Sequence, residues 1–125
     1  MTLKPVIGAI LSLLLGAQAA VGPPPAGSSA PEAPALVAPL DGTKVSRRDP
    51  LVMNWIPVRG AASYRLEIDR ANKRDFVSAF RQTTPGTSLA APTRELGAGS
   101  YRWRVVAIHP GGVEKPSEVR RFTLF

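Results

Sequence analysis

Charged side chains recur at alternate positions in three stretches: Arg65, Glu67 and Asp69, then Arg102 and Arg104, then Arg121 with Thr123. In an extended chain, alternate side chains leave by the same face. Each stretch therefore presents its charges side by side. Opposite charges on neighbouring strands form a cross-strand ladder, at about 0.2–1 kcal/mol per pair. Surplus arginine on such a face can also grip a carboxylate or phosphate of another molecule, because guanidinium carries a planar fork of donors. The two roles can coexist, and the spacing fits both.

Other chemistry is poorly supplied. The 125 residues contain no cysteine, which removes disulfides, thiolate metal sites and a cysteine nucleophile. The one histidine, His109, falls in a His109-Pro110-Gly111-Gly112 turn and reads as a loop residue. Asp41, Glu67, Asp69 and Asp75 lack the Asp-x-Asp-x-Asp-Gly spacing of a calcium loop. A glycosidase pair needs two carboxyls in one cleft, and Ser or Thr without a general base is inert. The expectation is a protein that is not an enzyme, with no catalytic, cofactor-binding or metal-binding residue.

Lys and Arg total 16 against 9 Asp and Glu, for a net charge of +7. Such a balance suits acidic partners: anionic polymers, membrane head groups or acidic proteins. The N-terminus argues for export and so against nucleic acid. Lys4 supplies a positive start, Val6–Ala17 is a mostly apolar run, and Ala17-Gln18-Ala19 is a cleavage signal. The run is shorter than the roughly 20 residues of a spanning helix. Residues 1–19 therefore read as a signal peptide, with no membrane span after processing; retention as an anchor is the alternative. Residues 20–34, rich in Pro, Gly and Ser, read as a disordered linker, since proline lacks a donor and fixes φ. Two loop clusters, Lys44 with Arg47 and Arg48, and Arg70 with Lys73 and Arg74, read as solvated charge. Neither is interleaved with aromatics, as a single-strand stacking platform would require.

From Ala35 the pattern becomes short strands bounded by turn signals. The expected strands are Ala35–Leu40, Leu51–Trp55, Ser63–Arg70, Asp75–Thr83, Thr87–Ala91, Gly99–His109 and Val119–Phe125, with Thr43–Pro50 as a polar loop. Gly99–His109 organises the rest: Tyr101, Trp103, Val105 and Ala107 face inward, while Arg102 and Arg104 face water, with Val106 and Ile108 following them. Tyr64, Leu66 and Ile68 face inward on their own strand, and Glu67 and Asp69 outward. Seven strands without a helical period predict an all-β, seven-stranded antiparallel sandwich over residues 35–125.

The order Pro39-Leu40-Asp41-Gly42, Trp55-Ile56-Pro57-Val58, Gly60-Ala61, Tyr64-Arg65-Leu66-Glu67-Ile68, Phe76, Leu96, Gly99, Tyr101, Trp103-Arg104-Val105, Ala107, Gly112, Pro116-Ser117, Arg121-Phe122 resembles a fibronectin type III-like domain. It is most similar to the version found in bacterial envelope proteins with iron-dicitrate-sensor-type (FecR-like) domains. The resemblance implies an immunoglobulin-like sandwich in which Trp55 faces Tyr64 and Trp103 from the opposite sheet. It also implies a tyrosine corner, with the Tyr101 hydroxyl bonded to backbone a few residues upstream.

The expected function is a non-catalytic binding module, periplasmic or secreted. Its partner is an envelope or extracellular protein, met through a face of Arg65, Glu67, Arg102, Arg104 and Arg121 or through an edge strand that accepts another chain. The alternative is a module binding carbohydrate or an anionic polysaccharide of the envelope. That role needs exposed aromatics, and Phe80 and Phe125 are the spare ones.

Overall fold

The computed structural model describes residues 30–72, 74 and 78–125. The expected signal peptide and the linker up to residue 29 lie outside the described residues, as do Lys73, Asp75, Phe76 and Val77. Pro31–Phe125 forms one compact unit.

Among the described residues, nine strands, one α-helical turn and a 3-10 turn at Pro110–Gly112 follow in order: β1 (Leu36–Ala38), β2 (Thr43–Val45), β3 (Val52–Trp55), β4 (Ser63–Arg70), β5 (Phe80–Thr84), β6 (Ser88–Ala90), α1 (Thr93–Leu96), β7 (Gly99–Ile108), β8 (Glu114–Pro116) and β9 (Arg120–Leu124). One sheet has the order β1-β3-β6; the other runs β2-β9-β7-β4-β5, with β8 also on β7. The two inner faces share one core. Trp103, Tyr101, Phe122, Met53, Leu66, Ile68, Leu124 and Val105 are its largest fully buried apolar side chains. Trp55 of the smaller sheet lies 5.8 Å, centroid to centroid, from Tyr64 of the larger. The all-β sandwich is thus the observed architecture.

Four local features depart from the expected strands. Thr43–Val45, read as loop, pairs with β9, and the pairing is parallel: Phe122 opposite Thr43, Leu124 opposite Val45. The chain leaves the smaller sheet after β1, crosses a cis Ala38–Pro39 peptide and the Asp41-Gly42 turn, and arrives running alongside β9. The Gly42 amide, donating to the Arg121 carbonyl at 2.8 Å, starts the new ladder. β8 is the second addition, paired to β7 on the edge that β9 occupies further along. Buried Ser117 bridges the break: its amide donates to the Val105 carbonyl (2.8 Å) and its hydroxyl accepts from the Val105 amide (3.0 Å). Third, the Thr93–Leu96 segment makes one helical turn. Fourth, the strand expected from Asp75 is described only from Phe80, whose ring packs on the core instead of standing free.

Three polar side chains tie the frame together. The Tyr101 hydroxyl donates to the carbonyl of Leu96 and lies 3.1 Å from that of Gly97. Tyr101 is itself stacked on Phe122 at 5.5 Å and covered by the Arg70 guanidinium at 5.0 Å. Arg70 is therefore not simply solvated. It also explains Gly99, where φ is +144° and an added Cβ would stand 3.0 Å from Arg70 Nη1. Arg120 reaches from β9 to β1, where no ladder exists. Its Nη1 and Nη2 atoms donate to the carbonyls of Val37 and Pro39 (both 3.1 Å) and Leu36 (3.0 Å). His109 is buried, with Nε2 2.9 Å from the Glu32 carbonyl, so it anchors the incoming chain.

Two substitutions separate packing from the hydroxyl bond. Trp103→Ala is expected to cost about 3–5 kcal/mol by opening a cavity. Tyr101→Phe is expected to cost about 1–3 kcal/mol by removing the hydroxyl from the half-buried carbonyls of Leu96 and Gly97. Urea unfolding of both variants measures this, and a Tyr101→Phe protein that melts like the parent would remove the hydroxyl bond from the account.

Candidate functional site

The outer face of the larger sheet collects the alternating charges. Register places Glu67 opposite both Arg81 of β5 and Arg104 of β7, and Asp69 opposite Arg102. Glu67 accepts from Arg65 Nε at 2.7 Å and from Arg104 Nε at 2.8 Å, with Arg81 Nη2 at 3.6 Å. Arg65 then turns its remaining donors to Glu114 on β8, a two-pronged contact at 2.7 and 3.0 Å. Asp69 lies 3.6 Å from Arg102 Nη2 and accepts from the Arg70 amide at 2.8 Å.

This face is not wet at its centre. Glu67 is 3% and Asp69 1% exposed, although alternation predicts both outward and solvated. They do point outward; Arg81 and Arg104 from the two flanking strands then close over Glu67, and Arg102 over Asp69. Val106, also expected outward, is 2% exposed. Burying a carboxylate is costly unless it is paired and hydrogen-bonded. For Glu67, burial opposes ionisation, but hydrogen bonds from Arg65 and Arg104 outweigh it and hold the carboxyl below the ordinary range. The hydrogen bond from Arg65 likewise lowers Glu114. In return, the Glu114 bond raises Arg65, against desolvation, with Glu67 adding to the rise.

The structure thus brings together four of the five expected face residues: Arg65, Glu67, Arg102 and Arg104. Arg121 stands apart. It is in register with Arg102, a like charge, and has no ion pair among the described residues. With Arg70, Ala71, Asn72 and Ser100 it lines a shallow depression of about 320 Å³. Arg81 and Glu114 are the members that sequence reasoning missed. The Phe80/Gln82 against Arg81/Thr83 alternation marks the first. The Gly111-Gly112 turn after Ile108, a hairpin signal, marks the second.

No protein-family model and no curated protein sequence matches the chain. Among solved structures it is similar to an Fn3-like protein from Clostridium thermocellum, at 18% identity over 76% of this chain and 91% of that one, with a TM-score of 0.49. It is also similar to the crystal structure of FN3tt, at 15% identity over 75% and 94% of the two chains, with a TM-score of 0.44. In this chain itself, a three-strand sheet β1-β3-β6 covers the sheet centred on β7, and Tyr101 closes onto the carbonyl of Leu96. The fold is an all-β sandwich of two facing sheets, with the Tyr101 hydroxyl placed as the fibronectin type III resemblance implies. Within that sandwich the charged face lies on the β5-β4-β7-β9 sheet, away from the shared core. Among the described residues, no group of three or more His, Asp or Glu side chains could hold a metal ion.

The lowered carboxyls set a pH dependence. A folded value below the unfolded one contributes stability that is complete above the unfolded pKa and lost as pH falls through the folded one. Unfolding free energy of the parent should therefore fall as pH drops below about 4. Glu67→Gln should flatten that fall and cost about 1–3 kcal/mol at pH 7, because the charge is lost and one of the two oxygens that accept from Arg65 and Arg104 becomes an NH2 donor. Urea melts at pH 3, 5 and 7 make the comparison. A Gln variant with the parent's slope would show that Glu67 does not carry the dependence.

Proposed function

We propose that this chain is an exported, non-catalytic interaction module that binds an acidic protein partner through its arginine face. One observation carries the reading. The face holds five arginines (65, 81, 102, 104 and 121) against three carboxylates (Glu67, Asp69 and Glu114), and the surplus is at the surface. Arg81 has a 57% exposed side chain at the β5 edge, and the Arg121 guanidinium has no ion pair among the described residues, the Asp41 carboxylate accepting from the Arg121 amide at 2.7 Å instead. Glu67 and Asp69 hold the inner arginines in place, while Arg81 and Arg121 flank them as the contact groups. A guanidinium carries a planar fork of donors that matches the two oxygens of a carboxylate. The free edge of β5 lies beside Arg81 and offers backbone donors and acceptors to an added strand.

Export rests on the apolar N-terminal run and its Ala-x-Ala signal, and an envelope setting beside iron-dicitrate-sensor-type domains rests on the resemblance. The polysaccharide reading loses support, because Phe80 packs on the core.

Arg81→Gln combined with Arg121→Gln tests the face while keeping the two short Glu67 contacts, from Arg65 and Arg104, and removing only its longer one, at 3.6 Å to Arg81. Near-parental melting is expected, with recovery of partner from an envelope extract reduced several-fold and residual binding less sensitive to salt. Arg59→Gln with Lys115→Gln is the control for charge alone. Equal loss in both pairs would reduce the protein to a nonspecific cation and overturn the assignment to this face. Intact mass of exported material, with a mature N-terminus at Ala20 expected, tests the export arm; a membrane-bound species retaining residues 1–19 would favour the anchor.

A further inference from the structure

A second set of arginines converges at one end of the sandwich, away from the ladder. Arg47 and Arg48, in the β2–β3 connection, and Arg94, in α1, line an open concavity of about 680 Å³ together with Ser46 and Phe125. The sequence alone treats Arg47 and Arg48 as solvated loop charge and gives no reason to join them to Arg94, some 46 residues away in the chain.

The folded chain joins them through backbone. The Thr93 hydroxyl, on a buried residue, donates to the Arg47 carbonyl at 3.2 Å. The Arg47 amide donates to the Phe125 carbonyl at 2.9 Å, and the Phe125 amide to the Val45 carbonyl at 3.1 Å. Within the turn, the Ser46 hydroxyl accepts from the Arg48 amide at 3.2 Å, and the Ser46 carbonyl accepts from the Asp49 amide at 3.0 Å. The three Cα positions are thus held before anything binds. None of the three guanidiniums has an ion pair among the described residues. Asp49 and Glu95 line an adjoining depression with the same arginines, yet neither comes within salt-bridge distance. No Asp or Glu side chain lines the concavity, and Phe125 lies at its wall with 66% of its surface exposed.

We infer that this concavity binds a small organic anion: a phosphate or carboxylate group attached to an aromatic or apolar portion. Three forked, unpaired donors match the oxygens of such a group bidentately. The exposed phenyl ring gives the remainder of the ligand a surface to leave water on. An open concavity of about 680 Å³ has room for a group larger than a bare inorganic anion. The reading is independent of the arginine face, which lies on the outer side of the β5-β4-β7-β9 sheet.

Amide chemical-shift titration of the full chain distinguishes the outcomes, with phenyl phosphate, phenylacetate and inorganic phosphate as probes at fixed ionic strength. Phenyl phosphate and phenylacetate are expected to saturate, moving the amides of residues 46–48, 94 and 125, and to bind more tightly than inorganic phosphate. Arg47→Gln with Arg94→Gln should weaken binding by about tenfold or more while leaving the melting curve parental, since both side chains are exposed and unpaired. Phe125→Ser should remove the advantage of the ring-bearing probes over inorganic phosphate and leave the phosphate response. Shifts spread equally over Arg59 and Arg81, parental affinity in the Arg47→Gln, Arg94→Gln protein, or inorganic phosphate binding as well as phenyl phosphate would each overturn the inference.

Discussion

Strand β7 has to keep Tyr101, Trp103, Val105 and Ala107 out of water, and the other elements are arranged around that requirement. Four inward side chains on one strand are all fully buried. Such a strand needs a neighbour on each side and a sheet across from it. β4 supplies one neighbour over eight paired positions. β9 and β8 divide the other edge between them, with Ser117 bonded to both polar backbone groups of Val105 at the join. The β1-β3-β6 sheet provides the lid, and Arg120 ties it to β9 through three carbonyls.

The same centrality shapes the outer face. A carboxylate in the middle of a six-strand sheet is crowded by long side chains from both flanking strands. Glu67 is buried by the arginines that neutralise it, so its desolvation and its hydrogen bonds have one source. Removing any one partner leaves a buried group short of a bond, which costs more than the pair's net contribution. This makes Arg65 and Arg104 structural as well as electrostatic. It leaves Arg81, with a 57% exposed side chain, and Arg121 as the outermost cations of the face. The tyrosine corner follows similar logic: a hydroxyl on a fully buried ring finds carbonyls that the α1-to-β7 connection would otherwise leave unpaired.

Departures from the expected strands arise where pairing is non-local. β2 and β8 are three residues each, too short for period-two alternation to stand out from a turn. Their existence depends on where β9 and β7 present free edges, and Pro116 in β8 conceals it further. Val106 and Asp69 read as solvated because alternation gives direction and not depth. Phe80 reads as spare for the opposite reason: on a weakly alternating strand, its inward direction is decided by pairing with Ile68.

What the sequence determined by itself is direction along each strand. Side chains of period two must leave a sheet by opposite faces, so the inward Tyr64-Leu66-Ile68 and Tyr101-Trp103-Val105 sets and the outward Arg65-Glu67 and Arg102-Arg104 sets were legible from spacing alone. The sandwich class followed, since those faces require an opposing apolar sheet. Only the tertiary structure decided which outward charges meet, how deeply they are covered, and which distant arginines share a concavity. Register across strands 37 residues apart joins Glu67 to Arg104, and one hydroxyl-to-carbonyl bond across 46 residues brings Arg94 beside Arg47. Those separations are closed by burial of the core, a sum over many side chains that no local pattern contains.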